Sequence, residues 1–253
     1  MKRKEQQKKS PQSYQEREYR AVEQSGLVSS YVTMVETDLH ILAPVNVEDE
    51  TLRLVADIRR QIEGYIRQNS LFADSLHPLP LDDAAPAIVQ DMLKAGLKAG
   101  VGPMAAVAGV IAQYVGQGLN DIGVEDLIVE NGGDIFIART QECTVAIFAG
   151  TLPLSDKVGI RLLPENMPRG VCCSSGTIGH SLSLGEADAV VVTASSTPLA
   201  DAAATRLGNE VTHGPKSIQK ALQVAQTITG ISGAVIIKDQ QIGAWGDIEL
   251  VRL

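Results

Sequence analysis

The segment LIVENGGDIFIA, Leu127 to Ala138, restricts the fold more than any other stretch of the chain. Two short apolar runs flank Asn-Gly-Gly-Asp, and the paired glycines supply the positive φ that a tight turn between strands demands. A hairpin is the economical reading. Upstream, residues 26–43 read as two strands or one bent strand, closed by Pro44 and Asn46. Residues 46–69 turn helical, with Leu52, Val55, Ile58, Ile62 and Ile66 at three- and four-residue spacing on the face that packs. A helix over 84–98 leads into GLKAGVGP, and the small-residue helix MAAVAGVIAQYVGQGL follows, with Pro103 near its first turn. TVAIFAG, KVGIRLL, GVCCSS, HSLSLG and ADAVVVTA read as strands. LADAAATRLGNEV and SIQKALQVAQTI return to helix, and AVIIKDQQIGAWGDIELV closes the chain as strands. Helices and strands come in runs rather than in βαβ alternation. That order predicts an α+β fold, with packing helices layered on an antiparallel or mixed sheet.

Composition removes several functions. With 253 residues, 44% hydrophobic and 21% charged, the chain has the make-up of a soluble globular protein rather than of a disordered or membrane-spanning one. A formal net charge of −8 lacks the broad basic field that nucleic-acid backbones require, so neither nucleic acid nor a membrane is an expected partner. The first twenty residues carry seven Lys or Arg against three Glu but no apolar core of a signal peptide. Residues 1–16 are expected to form a basic flexible tail, and residues 17–253 one domain. Three cysteines, Cys143, Cys172 and Cys173, have no framework spacing, which points to a reducing, cytoplasmic setting.

Four constellations offer chemistry, each with a purely structural reading beside it. Gly100-Val-Gly102-Pro-Met-Ala105 matches a dinucleotide fingerprint in spacing, but helical sequence precedes it where that motif needs a strand. Asn131, Gly132, Gly133 and Asp134 make a turn, and glycines without Cβ also let backbone amides approach a flat ring or a phosphate. In CCSSGTIGH, Ser174, Ser175, Gly176 and Thr177 offer successive N–H and O–H donors to an anion, and His180 stands among them. A Cys–His nucleophile is conceivable there, although small buried hydrophobes are the plainer role for the thiols. In ADAAAT, Asp201 and Thr205 lie four apart on one helix face, where a carboxylate and a hydroxyl converge as a hard Mg²⁺ ion requires. Asp201 as a helix-start residue, with Thr205 packing or back-bonding, is the alternative.

Taken in order, AAVAGVIAQYVGQGL, LIVENGGDIFIA, VCCSSGTIGH and LADAAATRLG resemble the ApbE-like superfamily, whose characterised members are Mg²⁺-dependent flavin transferases. GPMAAVAG, VENGGDIF, SSGTIGHSLSLGEADAVVV and ADAAATRLGN look more closely like a cytoplasmic branch with the same fold and no established reaction. The resemblance implies that Asp201 and Thr205 ligate Mg²⁺ with a backbone carbonyl near Ala105. It implies that Asn131 to Asp134 border FAD or a related flavin or nucleotide, that Ser174 to Thr177 line the pocket, and that His180 stands beside the reacting centre.

Departures matter as much. The transferases usually carry Lys before the helix glycine and a second Asp before the metal Thr, where this chain has Ala108 and Ala204. Their His-x-x-Asp-Pro run is here His180 followed by SLSLG. The expected partner is therefore a small phosphorylated ligand, with transfer or hydrolysis at a pyrophosphate as one reading. A non-catalytic ligand-binding or assembly protein is the other, and self-association into a homo-oligomer stays open.

Overall fold

The computed structural model describes residues 26–149, 155, 157–174, 185–214 and 216–253. The expected tail, residues 1–16, lies outside them, as do Ser175, Gly176, Thr177 and His180 of the Ser-Gly segment. The chain opens with the hairpin of β1 (Val28–Met34) and β2 (Thr37–Ala43). It continues through α1 (Glu48–Gln68), the single turn α2 (Leu71–Asp74), α3 (Ala87–Ala99), a 3₁₀ turn (Pro103–Ala106) and α4 (Val107–Asp121). Then come β3 (Leu127–Asn131), β4 (Asp134–Ala138), β5 (Cys143–Ala146), β6 (Val158–Leu162), β7 (Arg169–Ser174) and β8 (Ala189–Ala194). The last elements are α5 (Thr197–Glu210), α6 (Ser217–Ala225), β9 (Ile231–Lys238), β10 (Gln241–Gly246) and β11 (Glu249–Arg252).

One eight-stranded sheet runs β1-β2-β3-β4-β7-β8-β9-β10, every neighbouring pair antiparallel, and a three-stranded sheet runs β11-β6-β5. This is the α+β architecture that the element order predicts, with an antiparallel sheet. Period-two alternation divides the large sheet's side chains between two apolar layers. Leu127, Val129, Phe136, Val190, Val192 and Ile236 face the helices, while Ile137, Val171, Val191, Val235 and Ile237 face the small sheet. The described residues thus form three layers, and among them helices cover one face of the large sheet and the small sheet the other.

Local chemistry accounts for most element limits. Gly132 (φ 70°) and Gly133 (φ 102°) close the β3–β4 hairpin. Gly100 ends α3 in the left-handed conformation, and a Cβ on Gly102 would lie 1.7 Å from the Ser75 carbonyl oxygen. These glycines serve packing, and the dinucleotide spacing is a by-product. In α1 the buried positions are Thr51, Val55, Ile58 and Ile62, whereas Leu52 is exposed and Ile66 only half-buried. The apolar stripe is therefore narrower than its five predicted members, because Thr51 occupies the inward place one residue before Leu52. Among the described residues no single helix is long and apolar enough to cross a membrane.

Candidate functional site

The motif residues that the structure describes converge where the centre of the large sheet meets α4 and α5. Asp134 opens β4 directly opposite Cys172 of β7, and Ser174 follows two residues on, so all three face the helices. From β3, Asn131 sends its side-chain amide to the Ala108 carbonyl, 3.0 Å away. From α5, the Asp201 carboxylate accepts the Gly109 N–H at 2.8 Å, with the Ala108 N–H beside it. The Ala108 carbonyl and the Gly109 N–H are the two ends of one peptide group. Asn131 and Asp201 therefore clamp the first turn of α4 from opposite sides.

This corrects one structural alternative for Asp201. The N-cap of α5 is Ser196, whose hydroxyl accepts the Leu199 N–H, and Asp201 lies in the second turn. Asp201 instead caps α4, where the helix dipole and free amides favour a carboxylate. Close approach makes the bond possible. A Cβ on Gly109 would lie 2.7 Å from the Thr197 carbonyl oxygen and 2.8 Å from the Asp201 Cβ.

Electrostatics set this cleft apart. Asp201 and Thr205 are each 9% exposed, and Asp134 is 7% exposed. Burial pushes the Asp201 carboxyl up to about 7, against the opposing pull of the Gly109 and Ala108 amides. Burial, then repulsion from Asp201, holds the Asp134 carboxyl well above the usual carboxylate range. Neither carboxylate has an ion pair with Lys, Arg or His among the described residues. Three buried oxygens on these elements, Asp134 Oδ1, Ser174 Oγ and Thr197 Oγ1, have no hydrogen-bond partner among the described residues. No three His, Cys, Asp or Glu side chains gather to hold a metal among the described residues. Any cation here would rest on carboxylate, hydroxyl and carbonyl oxygens.

Gly133 behaves differently from an open anion cradle. The Gly133 N–H donates to the Glu130 carboxylate at 2.7 Å, and the Gly133 carbonyl accepts the Cys173 N–H at 3.2 Å. Gly133 thus ties the hairpin to β7, while Asp134 carries into the cleft an oxygen with no partner among the described residues. Ala105 sits in the 3₁₀ turn, which packs against α5. A cavity of about 460 Å³ lies elsewhere, lined by Tyr65, Phe72, Leu79 and Leu93 and by none of the motif residues.

The two adjacent thiols fall on opposite faces of β7. The Cys172 sulfur lies 3.4 Å from the Thr197 carbonyl oxygen and beside Asp134, whereas Cys173 joins the core under the small sheet. Burial raises both thiols, Cys172 with further help from the two carboxylates and Cys173 to about 12. Burial also raises Cys143, to about 11. Thiolate is the reactive form, so native protein at neutral pH is expected to take up iodoacetamide far more slowly than free cysteine does. Labelling of Cys172 at the free-cysteine rate, with the fold intact, would restore the nucleophile reading.

Layered helices on an antiparallel sheet, with two buried carboxylates between them, define the class: an α+β protein with its candidate site under the helix layer. A family model described as AbpE bacteria matches residues 20–244, and the chain belongs to that family. The motif resemblance to the ApbE-like superfamily is borne out by this match. The chain is 40% identical over 190 residues to a "UPF0280 protein" of Methanosarcina acetivorans, covering 75% of each chain. It is 36% identical over 229 residues to one of Methanococcus aeolicus, covering 88% of this chain and 91% of the relative. Among solved structures it is similar to the flavin transferase ApbE from Vibrio cholerae, with a TM-score of 0.48 and 14% identity over 87% of this chain and 96% of that one. For the apo form of Pseudomonas stutzeri flavinyl transferase ApbE the TM-score is 0.49 at 14% identity, over 87% and 94%. Likeness at that level bears on neither ligand nor reaction.

Proposed function

We propose that the cleft between the β3–β4 turn, β7 and α5 binds a flavin- or nucleotide-like phosphorylated ligand with the help of Mg²⁺, and supports transfer or hydrolysis at a pyrophosphate. The observation that carries this reading is the pair of buried carboxylates, Asp134 and Asp201, with no cationic side chain against them among the described residues. Two such charges are costly in a dry site unless a cation or a proton offsets them. The donors suit a hard ion: the carboxylate oxygen of Asp201 not taken by Gly109, the Thr205 hydroxyl one turn on, and a carbonyl of the 3₁₀ turn at Ala105. When bound, Mg²⁺ would neutralise charge on a pyrophosphate and leave the chain the task of positioning it. Asn131 to Asp134 would border the ligand, Ser174 to Thr177 would line its pocket, and His180 would stand beside the reacting centre. Three unpaired thiols are consistent with a cytoplasmic setting.

One observation favours the non-catalytic reading: the clamp of Asp201 on the Gly109 amide is itself a structural task, and Ala108 and Ala204 supply neither ammonium nor carboxylate. Thermal shifts separate the two. Under the first reading FAD or AMP raises Tm, more so with Mg²⁺. At 100 times Kd the stabilisation is about 2.7 kcal/mol, or about 5–10 °C for a chain of this size. A yellow preparation that releases flavin on denaturation would agree. A colourless protein indifferent to FAD, AMP and Mg²⁺ would leave the assembly role.

A further inference from the structure

We infer that Asp134 and Ser174 belong to the cation rather than to the organic ligand: Asp134 supplies the second carboxylate of a hard divalent-cation site, and the Ser174 hydroxyl joins it. This rests on the cation site proposed above and changes its composition. The sheet register brings the two residues together, because Asp134 lies opposite Cys172 and Ser174 is the next residue of β7 on the same face. That face also sends Phe136 into the core beneath α4, so both side chains enter the layer that holds Asp201 and Thr205. Each brings an oxygen with no other task. Asp134 Oδ1 and Ser174 Oγ are buried without a partner among the described residues, on side chains of residues 7% and 5% exposed.

Charge decides among possible occupants. An N–H donor on a ligand would satisfy Asp134 Oδ1 and still leave two repelling carboxylates buried together, whereas one divalent cation balances both. Asp201 Oδ2 accepts from Gly109, and with the Ala108 N–H also beside the carboxylate, the lone pairs that remain face the ion. The resulting set is two carboxylates, two hydroxyls and a carbonyl. It contains no nitrogen or sulfur ligand, which selects Mg²⁺ or Mn²⁺ over softer ions.

Mn²⁺ alone, added to the metal-stripped full chain without nucleotide, tests this through the loss of the free-Mn²⁺ EPR signal. Wild type should bind one ion. Asp134→Asn should weaken binding on the order of 100-fold, since site affinity follows the count of charged ligands, and Ser174→Ala should weaken it roughly 3- to 10-fold. Should Asp134→Asn fail to fold in a circular-dichroism melt with EDTA, Ser174→Cys decides. A thiol in direct contact with the ion shifts preference from Mn²⁺ toward Cd²⁺ relative to wild type, and a side chain that only packs does not. If Asp134→Asn and Ser174→Ala bind Mn²⁺ like wild type while Asp201→Asn loses it, the inference fails and the simpler cation site survives. If wild type itself binds no Mn²⁺, both fall.

Discussion

In metal-free buffer the protein is expected to gain stability as the pH falls from about 8 to about 5, the reverse of the acid sensitivity that paired carboxylates usually confer. The cause is Asp201, raised by burial from an ordinary 3.8 to about 7. Between those two values the folded state holds a proton that the unfolded chain has lost, so unfolding releases a proton and stability declines as the pH rises. Below the lower value both states are protonated and the effect is complete. Above the upper one neither is, and the full penalty is present. At 1.36 kcal/mol per unit the span is worth about 4 kcal/mol, and Asp134, shifted in the same direction, adds to it. Glu36, held low by Arg59, works in the opposite sense, losing stabilisation as the pH falls below the usual carboxylate range. Urea melts in EDTA across this range measure the slope. Asp201→Asn should remove a large part of it, because Asn can still accept the Gly109 N–H without a charge. Saturating Mg²⁺ should flatten the wild-type curve at its alkaline end. A wild-type stability that is level or rising from pH 5 to 8 in EDTA would show that the two carboxylates are better solvated than their burial implies.

Asp201 also shows where sequence reading reaches its limit. Its helix and its spacing from Thr205 are legible, because both depend on residues a turn away. Its partner is not: the Gly109 amide lies 92 residues earlier in the chain, and only the packing of α4 on α5 brings them together. The β3–β4 hairpin was readable for the same local reason, its glycines fixing the turn whatever the rest of the chain does. The placement of β5 and β6 was not, because they leave the large sheet after β4 and form a separate sheet in which β6 pairs with β5 on one side and with the later strand β11 on the other, so that β7 rather than β5 lies beside β4. Cys172 and Cys173 form an intermediate case. They are neighbours in sequence, and strand periodicity alone sends them to opposite faces, one beside Asp134 and one under the small sheet.

The second large effect is expected at Gly109, with Gly118 of the same helix as its control. Alanine is the better helix former by about 1 kcal/mol, so on propensity alone both substitutions should stabilise α4. Their surroundings differ. At Gly118 the added methyl would meet the end of the Leu54 side chain at 2.6 Å, and that side chain can rotate aside. At Gly109 it would meet the Thr197 carbonyl at 2.7 Å and the Asp201 Cβ at 2.8 Å, atoms fixed by the backbone of α5. The helices can accept it only by separating, which stretches the Asp201 bond to the Gly109 amide and loosens the clamp that Asn131 completes. Overpacking of this kind costs about 1–3 kcal/mol, occasionally more, and a lost bond to a buried charged group adds to that cost. Gly109→Ala should therefore destabilise by about 3 kcal/mol in urea melts and weaken Mn²⁺ binding as Asp201 shifts, while Gly118→Ala stays within about 1 kcal/mol of wild type. Equal stabilities for the two variants would mean that α5 can move away from α4 at little cost, and Asp201 would then be free to turn toward a ligand rather than being held at the helix start.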